Sequence, residues 1–251
     1  MAAPATITPS EVDEFLSDTS FEGYHSVPLP FGRRVPGRDA SRTAEAVLGD
    51  RVRGKTLLDI GTFYGFYPSE AIRRGARFAV GIEPRAQRCA VARRIAALNG
   101  DRWEIAEAWT EDYEPKQRFD FVLALRVLHW VRDPVAFLRR IAAWCDEAVI
   151  VEFRRPSHAE HLRRELATGG TAGRLLRALG PLGIGSVQVL LDALGHSLPL
   201  ASIGPNGWFF TPKGFERLFV TQTGIFDRVE FAASSTRSCT IALCRPASPD
   251  A

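Results

Sequence analysis

The chain has 251 residues, enough for one large α/β domain or one domain with an insertion. With 45% hydrophobic and 24% charged residues, its composition is that of an ordinary soluble globular protein. The net charge of +3 is too small to mark a nucleic-acid binder, because arginine-rich composition raises the isoelectric point of any enzyme.

Residues 1–9 are rich in Ala, Pro and Thr and are expected to fray. Ser10 and Asp13 read as a capping box for a short helix through Phe15 and Leu16. Phe21 to Arg42, rich in Pro, Gly and Arg, reads as an ordered arm leading to a helix near Ser41 to Leu48, so residues 1–50 form an N-terminal arm with helices. Strands are predicted at 55–60, 78–82, 103–106, 119–125 and 148–153, alternating with helices near 67–74, 85–98 and 134–145. The second of these helices places Val91, Ile95 and Leu98 on one face. The third starts at Asp133 as N-cap with Pro134 at the first helical position, and Leu138, Ile141 and Cys145 recur along one face. Such alternation predicts a doubly wound, mostly parallel α/β sheet with helices on both faces.

The rhythm then breaks. Residues 154–208 read as a helical insertion after strand five, with short helices near 158–167, 172–179 and 186–194 and a glycine-rich stretch from Gly180 to Gly185. Thr211 and Pro212 open another helix, with Phe215, Leu218 and Phe219 inward and Gly224 as its stop. The segments FDRVEF and CTIALCR complete about seven strands as a terminal antiparallel hairpin.

The segment LLDIGTFYGFY, Leu57 to Tyr67, carries the strongest chemical signal. A buried strand bearing Asp59 breaks into a turn, where Gly61 and Gly65 let backbone amides come close to a ligand as a helix begins. About 20 residues on, the apolar run Phe78 to Ile82 ends at Glu83, where an acid can accept hydrogen bonds from ribose hydroxyls. Strand, glycine turn, helix, strand and acid together point to a nucleotide-type cofactor. The G-x-x-x-G spacing differs from the dinucleotide fingerprint, and no lysine follows the second glycine, which excludes a P-loop. With Phe63 and Tyr64 in the turn, an aminoacyl-nucleoside fits better than a diphosphate.

These residues resemble the first motif, D-x-G-x-x-x-G, of class I S-adenosylmethionine-dependent methyltransferases. The resemblance implies a Rossmann-like methyltransferase fold throughout residues 1–251, with residues 154–208 as a substrate lid. It assigns Asp59, Gly61, Thr62 and Gly65 to the methionine end of S-adenosyl-L-methionine, Glu83 to the ribose, and Glu107 and Ala108 to the adenine. Trp109 either stacks on the base or packs in the core. The fourth strand's exit, RVLHWVRDP, faces the transferred methyl group in this family. His129 there is the candidate catalytic base; the alternative is that it only caps a turn. Trp130 is read first as core and second as a pocket wall. Arg126 needs a partner, either a cofactor-side acid such as Asp59 or a substrate anion.

The order FGRRVPGRD, GKTLLDIG, RVLHWVRDP and WFFTPKGFERLF also resembles the tRNA wobble-uridine carboxymethyltransferase branch. Its members place Leu-Tyr-His at the fourth-strand exit, where this chain has Leu128, His129 and Trp130, a departure that argues for ordinary methyl transfer, although Arg237 offers a cation. Arg33, Arg34, Arg38 and Arg42 read as a solvated basic face or as an anion grip. His158, His161 and His196 have no carboxylate cluster beside them, so no metal is assigned. Cys89, Cys145, Cys239 and Cys244 form no Cys-x-x-Cys pair and are expected as free thiols. No signal peptide and no 18-residue apolar window are visible, so a cytoplasmic protein without a membrane partner is expected. The apolar lid points to O-methylation of a small molecule, natural-product or glycan-like. A tRNA modifier and a non-catalytic cofactor-binding module are the rival readings.

Overall fold

A computed structural model describes residues 7–155 and 208–247. The predicted lid and its helices lie outside the described residues. The seven strands form one sheet in the order β3-β2-β1-β4-β5-β7-β6, with β1 at Thr56–Ile60, β2 at Phe78–Ile82, β3 at Glu104–Ala106, β4 at Phe119–Leu125, β5 at Cys145–Arg154, β6 at Phe226–Ala233 and β7 at Cys239–Pro246. The three pairings of β1 with β2, β2 with β3 and β4 with β5 are parallel, and β7 runs antiparallel to both β5 and β6. This is the Rossmann-like methyltransferase topology, terminal hairpin included.

Two compact units, Met1–Glu114 and Pro115–Ala251, carry the fold. In the first, helix α1 (Pro9–Asp18) starts two residues earlier than Ser10 and Asp13 implied. Thr8 is its N-cap and Glu11 closes the capping box, which puts Val12 and Phe15 on the buried face. The arm after α1 is ordered by local bridges, His25 with Arg38 and Pro28 with Arg34, and leads to α2 (Ser41–Val47). Every residue of β1 is buried, as expected of a parallel strand covered on both faces. Helix α3 (Phe66–Arg73) follows the glycine turn, and α4 (Ala86–Asn99) buries Cys89, Ala92, Ile95, Ala96 and Leu98.

In the second unit, α5 (Pro134–Ala143) starts as the Asp-Pro signal requires. The Asp133 carboxylate accepts from the amides of Val135 and Ala136 at 2.9 and 3.0 Å. Cys145 is not in this helix: β5 begins there and is longer than predicted, reaching Arg154. Helix α6 (Pro212–Glu216) runs into a π-helical turn, Arg217–Gln222, before Gly224 at φ 58°. Phe215 and Phe219 are fully buried, while Leu218 is only half-buried. Phe153 of β5 stacks flat on Phe215 at 4.7 Å and meets Phe210 edge-on at 5.9 Å, so one aromatic cluster fixes the late helix to the sheet. The four cysteines are free and buried.

Candidate active site

The register of β1 on β2 builds the first part of the site. Pairing Asp59 with Gly81 and Ile60 with Ile82 brings Asp59 and Glu83 to the carboxyl ends of adjacent strands. Gly81 is required there, because a Cβ on it would lie 2.6 Å from the Thr62 methyl. Gly61 (φ 74°) and Gly65 (φ 78°) turn the chain in the left-handed region that glycine tolerates. At Gly65 the indole of Trp103 lies against the backbone; a Cβ would meet its ring carbons at 2.2 Å. Trp103 is in turn held by its Nε1 donating to Ser69 Oγ at 3.1 Å.

The turn uses its amides internally. Gly61 and Thr62 both donate to the Ile82 carbonyl at 2.9 Å, and Gly65 donates to the Thr62 carbonyl at 2.9 Å. The Gly61, Thr62 and Gly65 amides are thus taken within the protein, and the glycines let the turn fold back onto β2. Beside these amides the turn presents carboxylate. Asp59 is buried, its Oδ2 has no hydrogen-bond partner, and the buried Thr62 hydroxyl lies beside the carboxylate. Burial pushes the Asp59 carboxyl up to about 7; the nearby Thr62 hydroxyl draws it down and the Glu83 charge adds to the rise. Glu83 is likewise raised, chiefly by burial. It is held down in part by the Arg85 amide, which donates to Oε1 at 3.1 Å, by the Arg88 charge and by the Phe63 amide.

This set of acceptors repels a pyrophosphate and suits a ligand that donates, through ribose hydroxyls and an ammonium group. The residues present therefore fit S-adenosylmethionine. Glu107 and Ala108 follow β3, but the Glu107 side chain is exposed and faces Arg93 at 3.8 Å. Trp109 is 64% exposed, so it is not a core residue.

A second group lies in the other unit. Arg126, at the end of β4, takes φ 59°, a strained conformation for a side chain of this size, and its amide donates to the Glu152 carbonyl at 2.8 Å. Glu152 is buried and its carboxylate accepts from Ser234 Oγ. His129 sits in a short helical turn, Leu128–Trp130, and is buried. Its pKa falls to about 3, first through burial and then through the charges of Arg154 and Arg126. The imidazole is therefore neutral at physiological pH, and its ordinary value near 6.5 does not apply. Trp130 is 61% exposed and lies 5.3 Å from the His129 ring, which overturns its reading as core.

Three of the four arginines of the arm are engaged within the protein. Arg33 pairs with Asp13 at 2.9 Å, Arg34 donates to Ser26 Oγ at 2.9 Å, and Arg38 lies 5.3 Å from the centre of the Tyr24 ring. Among the described residues, no group of three or more His, Cys, Asp or Glu side chains forms a metal site, and no helix is long and apolar enough to cross a membrane.

Sequence signals missed two contributors. Trp103 shapes the turn from 38 residues beyond Gly65, and Arg88 lies beside Glu83 in α4. Arg88 is one of three arginines in α4, with Arg93 and Arg94, and no local signal singles it out.

Residues 31–224 match the family described as methyltransferase domain. The chain is 32% identical over 155 residues to the ubiquinone biosynthesis O-methyltransferase of Rhodopseudomonas palustris (strain TIE-1), a match covering 55% of this chain and 58% of that protein. It is also 32% identical over 106 residues to the tRNA U34 carboxymethyltransferase of Dichelobacter nodosus, covering 41% of this chain and 34% of that protein. The chain thus spans little more than half the length of these curated relatives, or less. Among solved structures, the N-terminal domain of EvdMO1, crystallised in the presence of SAH and D-fucose, matches with a TM-score of 0.62 at 15% identity, over 98% of this chain and 100% of that one.

Proposed function

The chain belongs to the methyltransferase domain family, in the class I S-adenosylmethionine-dependent superfamily, and from that premise we propose that it O-methylates a small hydroxylated acceptor. The observation that carries the cofactor half is the turn after β1, which commits the Gly61 and Thr62 amides to β2 and leaves Asp59 Oδ2 buried without a partner beside Thr62 and Glu83. Asp59 and Thr62 hold the methionine end and Glu83 the ribose. When bound, the cofactor supplies an electrophilic methyl carbon on a sulfonium. The protein's part is to align the acceptor oxygen with that carbon and to exclude water, an arrangement worth ~7–11 kcal/mol in well-oriented intramolecular reactions.

The acceptor half rests on His129. Burial and two arginines keep its imidazole neutral and also make it a weak base, so a ring nitrogen would orient the acceptor hydroxyl by accepting its hydrogen bond and take the proton only as the oxygen bonds to the methyl carbon and the O–H turns strongly acidic. The same arginines, Arg126 and Arg154, disfavour imidazolium and favour negative charge on an acceptor oxygen. The arrangement therefore suits an acidic hydroxyl, whose proton leaves easily, better than an aliphatic alcohol. The relative's name, an O-methyltransferase of ubiquinone biosynthesis, agrees with oxygen as the nucleophile. Of the two acceptor classes that the sequence suggested, this arrangement favours a natural product bearing a phenolic or enolic hydroxyl over a glycan-like alcohol.

The tRNA-modifying reading draws on the carboxymethyltransferase match. Against it stands the engagement of three of the four arm arginines within the protein, because an RNA grip needs cations free to replace counterions. Methyl transfer to a panel of phenolic, sugar and tRNA acceptors, with wild type and His129→Gln, tests the proposal. We expect transfer to a phenolic or enolic hydroxyl, and a loss of ~10²–10⁴-fold in kcat in the variant. Transfer to tRNA alone, or full activity in His129→Gln, contradicts it.

A further inference from the structure

Arg88 occupies a position that the cofactor site does not by itself explain. Its guanidinium has two working edges. Nε and Nη2 donate to Glu22 Oε1 and Oε2 at 2.8 and 2.5 Å, a bidentate fork across 66 residues of sequence. The remaining nitrogen, Nη1, lies 3.6 Å from Glu83 Oε1, and the guanidinium carbon sits 4.2 Å from the centre of the Phe63 ring. Phe63 is the glycine-turn residue held at φ 57°. The Arg88 side chain is only 18% exposed.

Glu22 is fixed in its turn. Its amide donates to Tyr64 Oη at 3.3 Å, and its neighbour Phe21 packs edge-on against the Tyr64 ring at 6.0 Å. Phe15 of α1 meets Phe21 at 5.5 Å, and Tyr24 meets Phe63 at 4.9 Å. The arm thus lies across the two aromatic residues of the glycine turn and reaches Glu83 through one arginine.

We propose that Glu22 and Arg88 are positioning residues for Glu83. The N-terminal arm clamps the Arg88 guanidinium against Phe63, and the clamped cation holds the Glu83 carboxylate ionised and oriented for the ribose hydroxyls. The inference rests on the reading that Glu83 binds the ribose. It makes the arm part of the cofactor site, although no arm residue belongs to the motif that identifies that site.

The groups facing Glu83 are Asp59 at the end of β1, Arg85 and Arg88 of α4, the Cys89 thiol, and Glu22 acting through Arg88. Burial opposes ionisation of Glu83, whereas the Arg85 and Phe63 amides and the Arg85 and Arg88 charges favour it. A protonated Glu83 loses acceptor capacity toward the ribose, so cofactor binding should weaken as pH falls. Removing Arg88 should raise the pH at which this happens.

The test is calorimetric binding of S-adenosylhomocysteine between pH 5.5 and 8.5 to wild type, Glu22→Gln, Arg88→Lys, Arg88→Met and Glu83→Ala. We expect Arg88→Met to bind about five- to tenfold more weakly near pH 6 and to recover most of the difference by pH 8.5. Arg88→Lys, which keeps the charge and loses the fork, should fall between, and Glu22→Gln should show a smaller loss in the same direction. Glu22 is half exposed, so its variant should fold normally and keeps the test valid if Arg88→Met does not fold. A loss that is equal at both pH values, or no loss in either Arg88→Met or Glu22→Gln, overturns the positioning role. Unchanged binding in Glu83→Ala instead overturns the cofactor reading beneath it.

Discussion

Replacing Asp59 with asparagine should stabilise the cofactor-free protein at alkaline pH while weakening cofactor binding. The argument starts from burial. Asp59 is almost fully buried, one of its oxygens has no partner, and its carboxyl is pushed from 3.8 up to about 7. An acid whose folded value lies above its unfolded value binds more protons when folded. Its contribution to stability is therefore greatest at low pH and is lost as pH rises from about 4 to 7. At ~1.4 kcal/mol per pH unit, the whole difference is worth at most about 4 kcal/mol. Between pH 5 and pH 8, the same two values give a loss of about 2–3 kcal/mol for wild type relative to Asp59→Asn. Urea denaturation of both proteins at pH 5, 6, 7 and 8 reads this directly as the difference between two stability curves, in which the other titrating groups largely cancel. The two curves should draw apart mainly between pH 5 and 7, with little further change above, and the variant should be the more stable at pH 8. Parallel curves would falsify the claim that an unsatisfied carboxylate is buried at this turn. Loss of affinity for S-adenosylhomocysteine in the same variant then identifies what the carboxylate is kept for.

Gly65→Ala should destabilise by about 2–5 kcal/mol. About 1–2 arises from the left-handed backbone and ~1–3 from collision with the Trp103 indole, which lies 2.2 Å from the new Cβ. Repeating the substitution in a Trp103→Leu background should remove the second part and leave the first, so a double-mutant cycle by urea denaturation must show coupling. Phe153→Ala should cost ~3–5 kcal/mol, because it empties the centre of the cluster formed with Phe210 and Phe215. The partly exposed Phe231→Ala should cost far less, and comparable thermal shifts in the two variants would contradict the assigned core.

Much of this architecture was legible in the sequence because its signals are local. Asp133 followed by Pro134 starts a helix wherever it stands, and the alternation of apolar runs with amphipathic segments implies parallel strands. Asp59, Gly61, Gly65 and Glu83 were legible for the same reason, since each is marked by residue type at the end of an apolar run. What stayed hidden depends on register and tertiary contact. Whether the Gly61 and Thr62 amides face a ligand is decided by the position of the Ile82 carbonyl on the neighbouring strand. The Arg88 fork to Glu22 spans 66 residues and leaves no local periodicity. Trp130 follows an apolar strand and reads as core by composition alone. The turn through Leu128–Trp130 buries His129 and leaves the indole outside.

The most direct measurement is calorimetric titration of S-adenosylmethionine and S-adenosylhomocysteine into wild type and Glu83→Ala, with NAD as the control ligand. Micromolar binding of the first two to wild type, at least tenfold weaker in the variant and absent for NAD, is the result this account predicts. A preference for NAD, or sulfonium-nucleoside binding indifferent to Glu83, would contradict it.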